Sequence, residues 1–128
     1  MAWVTLVIVL ALLEYLVFGL LVGRARATYG VHAPATTGHP IFERYMRIHQ
    51  NTMEQLVVFV PAVWLYAMYM SAKVAALLGL VYVASRVLYA VTYLRDPRMR
   101  TAGIASTWVV LYVLLGGAAI GAVKTFMQ

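Results

Sequence analysis

Phe42-Glu43-Arg44-Tyr45-Met46-Arg47-Ile48-His49-Gln50-Asn51-Thr52-Met53-Glu54 is a charged stretch that leads straight into an apolar one. Through Gln55 it continues as Leu56-Val57-Val58-Phe59-Val60-Pro61-Ala62-Val63-Trp64-Leu65-Tyr66. Charge of this density does not ordinarily enter so apolar a helix. At about 100° per residue, Arg44, Arg47, Asn51 and Glu54 fall within roughly 80° of arc and form one polar stripe. Glu54 then lies about 15 Å deeper than Arg44, near the middle of a ~30 Å hydrocarbon core.

The rest of the composition agrees with a membrane setting. The chain has 128 residues, 64% hydrophobic and 11% charged, which suits a single domain over 1–128 but not a water-soluble one. Apolar runs of about 20 residues recur, each long enough to span a bilayer. The net charge of +6 does not indicate nucleic acid, because the basic residues flank or enter apolar runs and form no solvated patch. There is no Cys, which excludes disulfides, thiolate metal sites and a cysteine nucleophile. Three scattered His give no metal-ligand spacing, so no metal is expected. Gly116, Gly117 and Gly121 lie in an apolar run and read as points of close helix packing.

Four helices follow, at about 2–24, 42–69, 73–94 and 101–126. The first lacks a basic leader and a small-residue cleavage site, so it reads as a retained span and not a signal peptide. Residues 28–41 form the longest connection, broken by two Pro and two Gly. Pro61 predicts a kink in the second helix. Trp64, Tyr66 and Tyr69 suit an interfacial belt. Ser71-Ala72-Lys73 reads as a tight turn, and Pro97 stops the third helix. Arg24, Arg26, Arg44 and Arg47 flank the first loop, and Arg95, Arg98 and Arg100 lie in the third. Lys73 and Lys124 are on the opposite side. The positive-inside rule therefore predicts loops one and three in the cytoplasm and both termini outside.

Arg86 falls about 13 Å below the cytoplasmic end of the third helix, a depth at which a charge needs a partner. Glu54 and Glu14 reach similar depth. The sequence predicts an Arg86–Glu54 pair with Glu14 as a third member, either as a structural ion cluster or as part of a site. Nearer the surface, Arg24, Arg47, Asn51 and Arg100 converge with Tyr89 and Tyr93 of the third helix. Guanidinium forks suit carboxylates, and an amide supplies both donor and acceptor, so this group fits a small, multiply anionic, peptide-like ligand. Arg26, Arg44, Arg95 and Arg98 read as headgroup-contacting residues that set topology. The helix-three tyrosines fit a packing seam as well as a binding wall. His49 reads as a packing or subunit-interface residue, His32 and His39 as loop residues, and Trp108 and Tyr112 as core or lipid-facing.

Thr36-Thr37-Gly38-His39-Pro40-x-Phe42-Glu43-Arg44-x-x-Arg47-x-x-x-Asn51-x-x-Glu54, followed by Arg86-x-x-Tyr89-x-x-x-Tyr93 and a basic loop ending at Arg100, resembles the MAPEG family. These are membrane-associated proteins in eicosanoid and glutathione metabolism. The resemblance spans nearly the whole chain. It implies an all-α membrane protein, a four-transmembrane-helix protomer assembling into a homotrimer, with glutathione bound between subunits as co-substrate. By similarity, Arg24, Arg47, Asn51, Glu54, Tyr89 and Tyr93 match glutathione ligands. Arg100 matches the arginine that holds the thiolate, with Arg98 as the alternative across the Asp96-Pro97 loop. Gln50 stands where some members carry another Arg, and Pro61 is displaced from its place in others.

The activity implied is a membrane-bound glutathione transferase, with peroxidase activity, acting on lipophilic electrophiles drawn from membrane lipid. The membrane would be the cell membrane in a bacterium or the endoplasmic reticulum in a eukaryote. One rival is a non-catalytic lipid-binding or scaffolding protein of the same fold. Another is a small transport subunit using Glu14, Glu54 and Arg86 as an ion path.

Overall fold

A computed structural model describes residues 1–128 and contains four long helices. They are α1 (Ala2–Tyr29), α2 (Pro40–Tyr69), α3 (Ala72–Arg95) and α4 (Thr101–Phe126), with a single 3₁₀ turn, Pro97–Arg100, leading into α4. Each long helix is long and apolar enough to cross a membrane, α2 being the least apolar. Side chains that a soluble protein would bury face outward instead, Leu20 at 75% and Val57 at 71% exposure among them. The protein is therefore an all-α, multi-pass membrane protein.

Local chemistry explains the helix ends. α1 runs past Gly23 through Arg24 and Arg26, both good helix formers, to a glycine stop. Gly30 adopts φ 67° and returns its N–H to Arg26 O, a left-handed cap that a side chain would strain. The predicted loop over 28–41 is thereby shortened at both ends, since Pro40 begins α2 instead of belonging to the loop. His39, expected as a plain loop residue, is the N-cap: its Nδ1 accepts from Ile41 N at 3.2 Å, and its ring stacks on Tyr29. Ser71 caps α3 by accepting from Val74 N. α2 passes through Pro61 as one continuous helix.

α2 and α3 form the centre. Each packs against the other, and both pack against α1 and α4. The main core joins Val4 and Val7 of α1, Phe59 and Val63 of α2, Tyr82 of α3 and Leu114 of α4. Phe59 and Tyr82 stack with centroids 3.8 Å apart. Small residues admit the large ones. Gly117 faces the Tyr66 ring so closely that a Cβ would collide with it, and a Cβ on Gly121 would lie 2.7 Å from Tyr69 O. Gly116 opens onto free space and has no such role. Tyr66, predicted for an interfacial belt, is instead 9% exposed because Gly117 makes room for it. Trp64 and Tyr69 do remain exposed.

Candidate functional site

Three members of the α2 stripe, Arg47, Asn51 and Glu54, line a cavity of about 260 Å³. Gln55 joins them from α2, Arg86 from α3, and Ile104, Thr107 and Trp108 from α4. The spacing of 4 and 3 residues brings the stripe onto one wall. Arg44, the fourth stripe member, goes elsewhere: its Nη1 donates to Leu94 O at 2.9 Å, satisfying a carbonyl in the last turn of α3. Arg26 likewise turns inward, donating Nη1 to Ala35 O at 2.7 Å with its guanidinium over the Phe42 ring. Both were expected to reach for headgroups. Each instead ties an otherwise unsatisfied carbonyl, which fixes the polar end of the bundle.

Arg86 is only 1% exposed. Its Nη2 donates to Asn51 Oδ1 and to Thr52 Oγ1, both at 2.8 Å, and its guanidinium lies over the Tyr89 ring at 4.4 Å. Thr52 Oγ1 in turn donates to Ile48 O. The predicted Arg86–Glu54 pair is not formed, and Glu54 is exposed. The helix phase explains why. The guanidinium sits between the directions of Asn51 and Thr52, and Glu54 points roughly 110° away from that bisector. Glu14 fares differently from either expectation. Both of its carboxylate oxygens are buried without a hydrogen-bond partner, and Arg86 is the charge that acts on it. The expected three-membered cluster is therefore reduced to Arg86 with Glu14 nearby, and Glu54 belongs to the cavity wall alone.

The remaining candidates surround this cavity without lining it. Tyr89 is buried between Arg86 and α4, where a Cβ on Gly103 would strike its backbone. It stacks on Tyr93 at 5.5 Å and lies within electrostatic reach of Arg47 and Arg100. Both tyrosines are thus packing residues next to the cavity. Arg100 is exposed at the end of the 3₁₀ turn, and Arg98 is exposed beside it. Arg24 lies apart, on an α1 face shared with Tyr45, in a separate cavity of about 240 Å³. His49 is a packing residue, stacked on Tyr15 at 4.5 Å and against Gly19.

Sequence reasoning missed Gln55, Ile104, Thr107 and Trp108. Gln55 was findable, being four residues after Asn51 on the same face. The α4 residues carried no signal, because nothing in the chain says which turn of α4 faces the stripe. Trp108, assigned to core or lipid, is 45% exposed yet forms part of the cavity wall.

Four bilayer-length helices enclosing a cationic and amide-lined cavity define a polytopic membrane protein able to hold a polar, anionic ligand beside the lipid phase. The chain belongs to the MAPEG family, whose model matches residues 4–120. It is 45% identical over 116 residues to an uncharacterised protein of Synechocystis sp., covering 91% of this chain and 85% of that one. It is 36% identical over 111 residues to the human protein named microsomal glutathione S-transferase 2, covering 87% and 76%. It is also 36% identical over 110 residues to the leukotriene C4 synthase of Cavia porcellus, covering 86% and 73%.

Proposed function

We propose that the protein is an integral membrane glutathione transferase, with accompanying peroxidase activity, that joins glutathione to lipophilic electrophiles at the cytoplasmic face. The observation that carries this reading is the cavity in which Arg47, Asn51 and Glu54 meet. Arg47 suits a glutathione carboxylate, and the Glu54 carboxylate suits its ammonium group. Asn51 supplies an amide contact. Arg100, beside this region, favours the thiolate over the thiol, and the thiolate is the nucleophile. The sulfur forms a C–S bond to the electrophilic carbon while the leaving group departs with the displaced electron pair. Exposed apolar faces on every helix give the electrophile a route from lipid.

Small-molecule sites usually enclose ~300–1,000 Å³. The cavity in one chain, at about 260 Å³, is smaller than that, and Arg24 lies on the far side of the bundle from α4. Both facts support a homotrimer in which a neighbouring copy completes the site with its own Arg24.

Calorimetry in detergent tests the reading: wild type should bind glutathione saturably, and Asn51→Ala should bind it at least about tenfold more weakly. Absence of saturable binding to the wild type would sink it. A second reading, non-catalytic lipid binding, is favoured by a groove of about 780 Å³ between α1 and α3, lined by Trp3, Leu10, Ala76 and Leu80 with Lys73 at its rim. That reading requires lipid retained through purification and no turnover with a chromogenic aryl halide.

A further inference from the structure

We propose that Glu14 is a positioning residue for the cavity: it anchors Arg86, and Arg86 orients the Asn51 amide so that its NH₂ group faces the ligand. The ligand identity rests on the transferase reading above. The orientation does not.

The orientation begins with donor and acceptor inventory. A guanidinium has only donors, so the Asn51 atom it meets at 2.8 Å is the amide oxygen. The other end of that amide is an NH₂ group, and Asn51 lines the cavity. The wall there is a donor, complementary to a carboxylate or an amide carbonyl. Thr52 is locked in the same way. Its hydroxyl proton goes to Ile48 O, so it meets Arg86 only as an acceptor.

The opposite side of Arg86 is where Glu14 enters. Arg86 Nε, the Tyr82 hydroxyl and both Glu14 oxygens are buried and have no direct partner. Two donors and one carboxyl group are a matched set, which a bridging water joins in the usual manner for buried polar atoms. Glu14 is the one carboxylate whose charge acts on Arg86. A guanidinium at this depth needs a counter-charge. α1 is held in place to supply it, because Tyr15, next to Glu14, stacks on His49 of α2, and Gly19 lets His49 approach. Without Glu14, nothing fixes the inner edge of the guanidinium, and the Asn51 amide is free to turn its carbonyl to the cavity.

Asn51 is the only Asn in the chain, so ¹⁵N-labelled asparagine gives one side-chain amide signal. The experiment records that signal in detergent, without ligand, for wild type, Glu14→Gln, Glu14→Asp and Tyr82→Phe. A melting curve on each sample checks folding. The Asn51 pair should move in Glu14→Gln, return toward its wild-type position in Glu14→Asp, and move less in Tyr82→Phe. Glutathione affinity, measured on the same samples, should fall about tenfold in Glu14→Gln and recover in part in Glu14→Asp. A merely structural Glu14 would lower the melting temperature and leave the amide signal in place. An Asn51 signal unmoved in every variant that folds overturns the proposal. A moved signal with unchanged glutathione affinity overturns the claim on the ligand. Failure of the wild type to bind glutathione counts against the transferase reading alone, because the amide signal is read without ligand.

Discussion

Arg86 and Glu54 separate two jobs that one polar stripe seemed to share. Arg86 is enclosed by Asn51, Thr52 and Tyr89, so Arg86→Leu removes two hydrogen bonds and strands the Glu14 carboxyl group. Breaking a buried charge arrangement from one side costs about 3–5 kcal/mol. A large fall in melting temperature in detergent is the expected outcome, and an unchanged one would show that the guanidinium is dispensable to the fold. Glu54 is exposed on the cavity wall and holds no partner. Glu54→Gln should therefore melt like wild type while binding glutathione more weakly. Arg100→Ala should lower the aryl-halide conjugation rate by about a hundredfold, the scale seen when one group stabilising a developing anion is lost. Arg26→Ala should leave that rate near wild type, since Arg26 is turned to Ala35 and Phe42.

At the scale of the element, the helices are fitted together by glycines whose value depends on register. Gly117 faces the Tyr66 ring, while its neighbour Gly116 faces nothing within 4 Å. Gly117→Ala should destabilise the bundle by roughly 1–3 kcal/mol through overpacking. Gly116→Ala should be neutral or slightly stabilising, as removing a helical glycine usually is. A thermal-melt comparison of the two adjacent variants tests whether the α2–α4 register is correct, because a one-residue slip would reverse the result. The composition made both glycines candidates for packing. Which of them packs follows only from the rotation of α4 about its axis, which no local signal encodes.

For the whole molecule, the order of packing matters most. α2 and α3 occupy the centre and α1 and α4 flank them, so Arg24 and the Arg47–Asn51–Glu54 wall lie in different places within one protomer. In the proposed trimer they meet across a subunit boundary. Arg24→Ala and Arg47→Ala should each lower activity, and co-expression of the two should restore part of it, because mixed trimers contain some sites with both arginines intact. No restoration would argue for sites built within a single chain. The chain has no Cys, so single cysteines placed at His32 and at Gln128 report sidedness directly. The first should be labelled from the cytoplasmic side and the second from the other.

The sequence by itself determined the four spans, the caps that end them, the polar stripe of Arg47, Asn51 and Glu54, and the family. Each of these is written in local composition or helical period, which one segment carries alone. Tertiary structure decided that Arg86 binds Asn51 and Thr52 in place of Glu54, that Glu14 is its buried counter-group, that Trp108 and Thr107 close the cavity, and that Tyr66 is core. Those outcomes depend on the rotation and depth of each helix against its neighbours. In a chain whose helices are apolar nearly all round, sequence periodicity leaves that rotation open, and packing of glycines against aromatic rings sets it.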